Sequence, residues 1–366
     1  MLGSQLRKEW PLAVVWSSAL LWLFYGTTWS SSLQTGTNSA LALLWVCAAI
    51  LFSAFAVVRH ADVLAARLGE PFGTMILTFA VISLEVLLIG SVMLQGNEPT
   101  LARDTMYSVL MIVLTGFVGL CLLLGGIKFR EQSFNLQGAN AYLAMILPLA
   151  VVGLVLPLYT RSGSPGFFSP QHEVALVVLS LAIYGVFLLL QTSRHRSFFR
   201  QSGEEHGSLE EHASSLPSWA HLLMLFAYIL PVIALAKTLA PILHQFTQQL
   251  GLPSSVAGLI VALLLLCPEG LAAIESALNN RIQRSVNILL GSVLATIGLT
   301  IPAALGIGLL TGKPVLLGLD SPEMVLMLVT QALCMLTFAQ GRTNMLQGAI
   351  HLLMFGVYLF VVLDSP

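Results

Sequence analysis

Charge is scarce in this chain. Asp, Glu, Lys and Arg make up only 9% of its 366 residues, against roughly a quarter in a soluble domain. The 16 basic and 17 acidic side chains leave a net charge of −1, so there is no electrostatic hold on nucleic acid. Cysteine is scarce as well. Cys47, Cys121, Cys267 and Cys334 each fall in apolar sequence, and no two share a CxxC spacing. That excludes a disulfide framework and a zinc-finger-type site. The signatures of intramembrane or hydrolytic catalysis are missing too: no HExxH, no GxGD, no GxSG with a following His, no Asp-rich diphosphate motif. An enzyme is not expected, and no cofactor is implied.

What fills the chain is hydrocarbon. Hydrophobic residues reach 57% and mean hydropathy is +0.87. A helix needs about 20 apolar residues to cross a bilayer core. Eleven stretches qualify, near 11–29, 41–58, 73–94, 104–126, 141–160, 172–191, 219–238, 256–277, 287–310, 323–340 and 345–363. The fold class expected is an all-α polytopic membrane protein. Arg7 and Lys8 precede the first stretch as they would in a signal peptide. That stretch is long, however, carries three tryptophans and lacks a small-x-small cleavage site, so it reads as a retained helix.

Basic residues orient such a chain, because Lys and Arg accumulate on the cytoplasmic side. With the N-terminus inside, Arg7, Lys8, Arg59, Arg67, Lys128, Arg130, Arg194, Arg196, Arg200, Arg281, Arg284 and Arg342 are cytoplasmic. Only Arg103, Arg161, Lys237 and Lys313 are outside. The expected arrangement is a cytoplasmic N-terminus and a C-terminus outside.

Two acids stand out within the apolar runs, Glu85 and Glu269. Laying one on the other without gaps also lays Ser108-Val109 on Ser292-Val293. With a two-residue shift, Leu68-Gly69-Glu70-Pro71 falls on Leu250-Gly251-Leu252-Pro253. Removing the first helix leaves ten, five plus five, and each Glu is on the second helix of its five. An odd number per half turns the halves over, the inverted-repeat plan common among secondary transporters. The expected organisation is an N-terminal helix in 1–30, a first repeat in 41–191, a cytoplasmic loop in 192–218 and a second repeat in 219–366.

Two carboxylates in low dielectric are stable when they hold protons or a cation, and unstable holding neither. Competition between the two occupants for the same oxygens is exchange. Glu85 and Glu269 are therefore the expected cation- and proton-binding residues, with Ser108, Ser292 and Thr296 as candidate further ligands. Pro268 is expected to break its helix and free the Leu264 carbonyl. Glu70, Glu275 and Asp104 are candidate gate or vestibule acids, each with a plainer alternative: helix capping or loop structure for Glu70, a snorkelling side chain for Glu275, stabilisation by the helix dipole for Asp104. Ser321-Pro322-Glu323 reads as a helix start capped by Ser321. The loop acids and histidines Glu204, Glu205, His206, Glu210, Glu211 and His212 are expected to be a solvated linker, with a metal or pH sensor as the sharper alternative.

These residues carry a resemblance. Ala61-Asp62-Val63-Leu64-Ala65, Leu68-Gly69, Gly73 and Glu85 resemble the first repeat of the calcium/proton exchangers in the cation/calcium exchanger superfamily. Leu250-Gly251, Gly258-Leu259-Ile260-Val261, Glu269, Asn279-Asn280, Gly291-Ser292 and Pro302 resemble the second. Arg59 to Ala65, Pro268-Glu269-Gly270-Leu271, Gly291 to Thr296 and Gly341-Arg342-Thr343-Asn344 are similar to the ChaA-type bacterial branch. The resemblance implies an eleven-helix antiporter in the bacterial inner membrane, its C-terminus periplasmic, that exports Ca²⁺, and in this branch Na⁺ or K⁺, against entering protons, working mainly at alkaline pH or under salt stress. Its partners would be membrane lipid, the transported ions and protons; a homo-oligomer is left open. The chain departs from the wider family's pattern at Ile82 and Leu266, where Asn is usual, and at Gly270, often His. A proton-coupled exporter of an organic substrate is the competing reading. It would need a more polar or aromatic midplane than these helices offer.

Overall fold

The computed structural model describes residues 9–30, 36–69, 72–95, 100–160, 164–194, 198–199 and 216–364. Among these described residues eleven apolar helices follow one another: α1 (Trp10–Ser30), α2 (Gly36–Leu68), α3 (Phe72–Gln95), α4 (Leu101–Phe129), α5 (Leu136–Leu158), α6 (Pro170–Thr192), α7 (Ser218–Leu250), α8 (Ser255–Leu278), α9 (Ile282–Thr311), α10 (Ser321–Phe338) and α11 (Met345–Asp364). Among the described residues, α2 to α11 are each long and apolar enough to cross a membrane, and α1 adds a shorter apolar stretch. Leu223, Val178, Leu336 and Phe360 are all exposed. In water such surface would aggregate; on a membrane helix it faces lipid.

Helices α2 and α7 overrun the expected spans. Each is 33 residues long, because the Ala-rich end of α2 favours helix and α7 continues through Pro231 and Pro241. Both stop in the same way. Gly69 (φ +64°) and Gly251 (φ +62°) take left-handed backbone that only glycine adopts without strain, and the Leu-Gly-x-Pro match is thus a repeated helix cap. Helices α3 and α8 are again equal, at 24 residues. Contrary to expectation, Pro268 does not break α8, which runs unbroken from Ser255 to Leu278. Removing one amide hydrogen is tolerated inside a packed helix.

A further correspondence was invisible in the sequence. Helix α4 widens into a π turn at Ile112–Phe117 and α9 at Thr296–Thr300. The offset between Glu85 and Glu269 is 184, and so is the offset between Ile112 and Thr296. In α9 the wide turn lies just before Pro302, which cannot donate to the carbonyl four residues back. Single π turns inside α-helices recur at functional sites.

The chain forms two compact units, Met1–Glu98 with Glu204–Ala257, and Pro99–Gly203 with Gly258–Pro366. In the first unit α1, α2, α3 and α7 pack together. Indole Nε1 of Trp16 donates to the Ala227 carbonyl (2.9 Å), Ser39 to Gln249 (2.6 Å) and Ser53 to the Tyr228 carbonyl (2.5 Å). In the second unit two three-residue strands pair antiparallel, β1 (Glu131–Ser133) after α4 and β2 (Arg342–Asn344) before α11, with Gln132 opposite Thr343.

Candidate functional site

Glu85 sits in the first unit on an uninterrupted α3 and is 4% exposed. Ile82, one turn earlier, is buried and apolar. Ser83 spends its proton on the Phe79 carbonyl of its own helix (2.5 Å). This segment therefore gives one ionisable side chain in an apolar setting.

The second unit holds Glu269. Its surroundings are shaped by Gly270: a Cβ there would lie 2.2 Å from Cζ of Phe117, the last residue of the α4 π turn. The aromatic ring takes the room that a side chain after Glu269 would fill, which accounts for glycine at this position. Leu266 is buried. The C-terminal end of α8 is held by neighbours, with Lys128 Nζ donating to the Leu278 carbonyl (2.7 Å) and Gln132 Nε2 to the Ala277 carbonyl (3.0 Å). Side chains from α4 and β1 thus satisfy carbonyls that a helix end leaves without donors.

The remaining candidates separate. Ser108 is buried and accepts a hydrogen bond from Tyr358 (2.8 Å). Thr296 is buried at the start of the α9 π turn, and Ser292 is half-buried one turn before it. Glu275 is exposed. Asp104 is buried and bound by its neighbour Arg103, Nε to Oδ1 at 2.8 Å. Glu70 and the loop acids and histidines lie outside the described residues. At α10 the cap is Asp320 rather than Ser321. Its amide donates to Glu323 Oε2 (3.3 Å), and Pro322 stands in the first turn. Asp extends its backbone as readily as Ser to cap a helix.

Two polar clusters are additions to the sequence reading. In the first unit Glu9 receives Arg59 (2.7 Å) and the Tyr228 hydroxyl (2.8 Å), and His60 lies 3.5 Å away. Nδ1 of His60 and Nδ1 of His221 are 2.8 Å apart with both rings buried, so one must donate and the other accept. Burial works against the Glu9 charge, but the His60 and Tyr228 hydrogen bonds and the Arg59 charge outweigh it and hold the carboxyl at about 2. Histidine inside apolar sequence at 60 and 221 was the available signal. In the second unit Arg103 also reaches the Gly318 carbonyl (3.0 Å) and Asp320 (3.6 Å), and Glu323 is buried.

Comparison with known proteins decides the family. The family model described as sodium/calcium exchanger protein matches residues 38–193 and 220–363. The chain belongs to this family. It is 44% identical over 343 residues to the sodium-potassium/proton antiporter ChaA of Escherichia coli (strain K12), covering 91% of this chain and 92% of that one. It is 24% identical over 259 residues to the Ca²⁺/H⁺ antiporter ChaA of Bacillus subtilis (strain 168), covering 68% and 73%. The solved structure of native YfkE superposes with a TM-score of 0.75 at 18% identity, covering 97% of this chain and 100% of that one. The H⁺/Ca²⁺ exchanger CAX superposes at 0.70 and 16%, covering 97% and 88%. The fold is the exchanger fold: one helix followed by two inverted five-helix repeats.

Proposed function

We propose that this chain is a secondary active cation/proton antiporter in which Glu85 and Glu269 form one exchange site, taking protons and cations in turn with alternating access. The observation that carries this reading is their equivalence. Each lies on the second helix of its repeat, the two helices are equal in length, and the register that matches the acids also matches the π turns of α4 and α9. Protonated, the pair is neutral and stable in low dielectric; ionised, it must hold a cation. Ser108, Ser292 and Thr296 supply further oxygens.

The cargo is Ca²⁺ together with Na⁺ or K⁺. Relatives carry both descriptions, one named for sodium-potassium/proton and another for Ca²⁺/H⁺ antiport. Buried Ile82 and Leu266 stand where an amide oxygen would raise the ligand count, and Ca²⁺ favours 6–8 oxygens. A poorer oxygen set weakens strict preference for Ca²⁺. The protein works in the bacterial inner membrane, N-terminus cytoplasmic and C-terminus periplasmic. Glu70, Glu275 and Asp104 guard its approaches.

The test is cation-induced proton release in everted vesicles, read with a pH-gradient dye, for Ca²⁺, Na⁺ and K⁺ in turn. Wild type should respond to Ca²⁺ and to at least one monovalent ion; Glu85→Gln and Glu269→Gln should abolish every response. Persistence of transport in both variants would refute the site, and a response to Ca²⁺ alone would refute the broad cargo.

A further inference from the structure

One face of α10 carries buried polar side chains from its first turn to its last, with buried Met327 among them. Glu323, Thr330, Gln331, Cys334 and Thr337 are each 5% exposed or less. At about 100° per residue, Glu323, Thr330 and Cys334 align to within about 40° of one another, with Gln331 and Thr337 on either side. Part of this face is satisfied by α4 and α11. Thr337 Oγ1 meets His351 Nε2 at 2.9 Å, His351 Nδ1 lies 2.7 Å from the Leu114 carbonyl, and Cys334 Sγ lies 3.9 Å from that same oxygen.

The rest is not. Among the described residues, Thr330 Oγ1, both amide atoms of Gln331 and the hydroxyl of Tyr107 have no hydrogen-bond partner. Tyr107 is 1% exposed. Leaving a buried polar group unpaired costs about 1–3 kcal/mol, and four such atoms lie on two helices of one unit, α4 and α10. Gln331 needs an acceptor and a donor at once. A metal ion can stand in only for the donor; water supplies both.

These groups lead somewhere. Tyr107 packs edge-on against Tyr358, ring centres 5.7 Å apart, and one turn before Tyr107 on α4 Arg103 reaches Asp320 (3.6 Å), whose amide binds Glu323. Tyr358 donates to Ser108 (2.8 Å). The charged groups facing Glu323 are Arg103 and Asp104 of α4 and Asp320 of its own cap; Tyr107 and Tyr358 are the titratable groups from α4 and α11.

We propose that α4, α10 and α11 enclose a hydrated proton-delivery path, in which Glu323 takes up the proton and Tyr358 passes it to Ser108. A proton from outside water neutralises the Glu323 carboxylate. Water held by Tyr107, Thr330 and Gln331 takes the proton from Glu323 and gives one to Tyr358 Oη. Tyr358 releases its own to Ser108 Oγ, which releases its own onward, so each oxygen gains one O–H bond as it loses another. Cations meet this path only at Ser108. The inference rests on the proposed antiport and adds to it a proton route that joins the cation site at that one residue.

The test separates two fluxes in proteoliposomes of the full chain: net uptake of labelled Ca²⁺ or Na⁺ driven by a pH gradient, and self-exchange of the same ion, which moves no net proton. Glu323→Gln retains an oxygen for the Asp320 amide, Tyr358→Phe retains the ring, and Thr330→Val with Gln331→Leu dries the pocket. Each should slow proton-driven uptake by about tenfold or more and leave self-exchange within about twofold. Equal loss of both fluxes, or loss of neither, overturns the path. A wild type that self-exchanges without proton coupling overturns the antiport reading instead.

Discussion

Helices α5 and α10 occupy the same place in their repeats, fourth of five, and begin at Leu136 and Ser321. In the register that matches the two glutamates, Glu323 falls on Ala139, Thr330 on Ile146, Gln331 on Leu147, Cys334 on Ala150 and Thr337 on Gly153. Ala139, Ile146 and Ala150 are buried, as are their α10 counterparts. The same buried face is apolar in one repeat and polar in the other. By contrast α2 with α7, and α3 with α8, match in length, and the first of these pairs also in its terminating glycine. The repeats kept in common the parts that carry and flank the carboxylates, and diverged where one proton route suffices.

The largest effect that could break this comparison is at the glutamates. Glu85→Gln and Glu269→Gln should lower cation/proton exchange equally, by about a hundredfold or more, the scale of losing an essential proton-transfer group. A variant pair differing by tenfold or more in vesicle assays would mean the two acids are not equivalent. Next comes the residue after each acid. Gly270→Ala drives a methyl into Phe117 and should destabilise by about 1–3 kcal/mol in thermal melts, relieved by Phe117→Leu; Val86→Ala, at the matching position, removes methyls rather than adding one and should not need that rescue.

Smaller effects test the helix ends. Gly69→Ala and Gly251→Ala should each cost about 1 kcal/mol, the penalty of left-handed backbone, and unequal costs would show that the caps differ. Thr330→Val with Gln331→Leu, which makes α10 resemble α5, should leave melting unchanged or raise it by about 1 kcal/mol, since unpaired polar groups are removed; a clear drop would show that these groups have protein partners. Last is pH. Glu9 has its folded pKa depressed to about 2 from 4.5. Its contribution is therefore complete above pH 4.5 and lost as pH falls toward 2. Melting curves of wild type should fall through that window more steeply than those of Glu9→Gln; parallel curves would count against the cluster.

Much of this was legible in the sequence. Every helix was visible as an apolar run, and Glu85 and Glu269 stood out because ionisable groups are rare in such runs. The ends of α2 and α7 were not, since helix continues wherever backbone bonds can form and hydropathy reports only the membrane. The π turns left no pattern, because one extra residue per turn changes no composition. Glu323 was legible only as part of a helix start, and the role proposed for it depends on Tyr107 and Tyr358, brought near by folding. The His60–His221 contact joins residues 161 apart, a pairing no local pattern encodes.

The small sheet has a bearing on how the molecule is made. Gln132 and Thr343, its central pair, are 211 residues apart. At about 5–20 residues per second, β1 leaves the ribosome roughly 10–40 s before its partner exists. Throughout that interval the end of α4 has no strand to pair with, and the second unit cannot close until nearly the whole chain is synthesised. An insertion defect near Arg342–Asn344 would thus strand a nearly finished protein with its fourth helix in the bilayer and its clasp open.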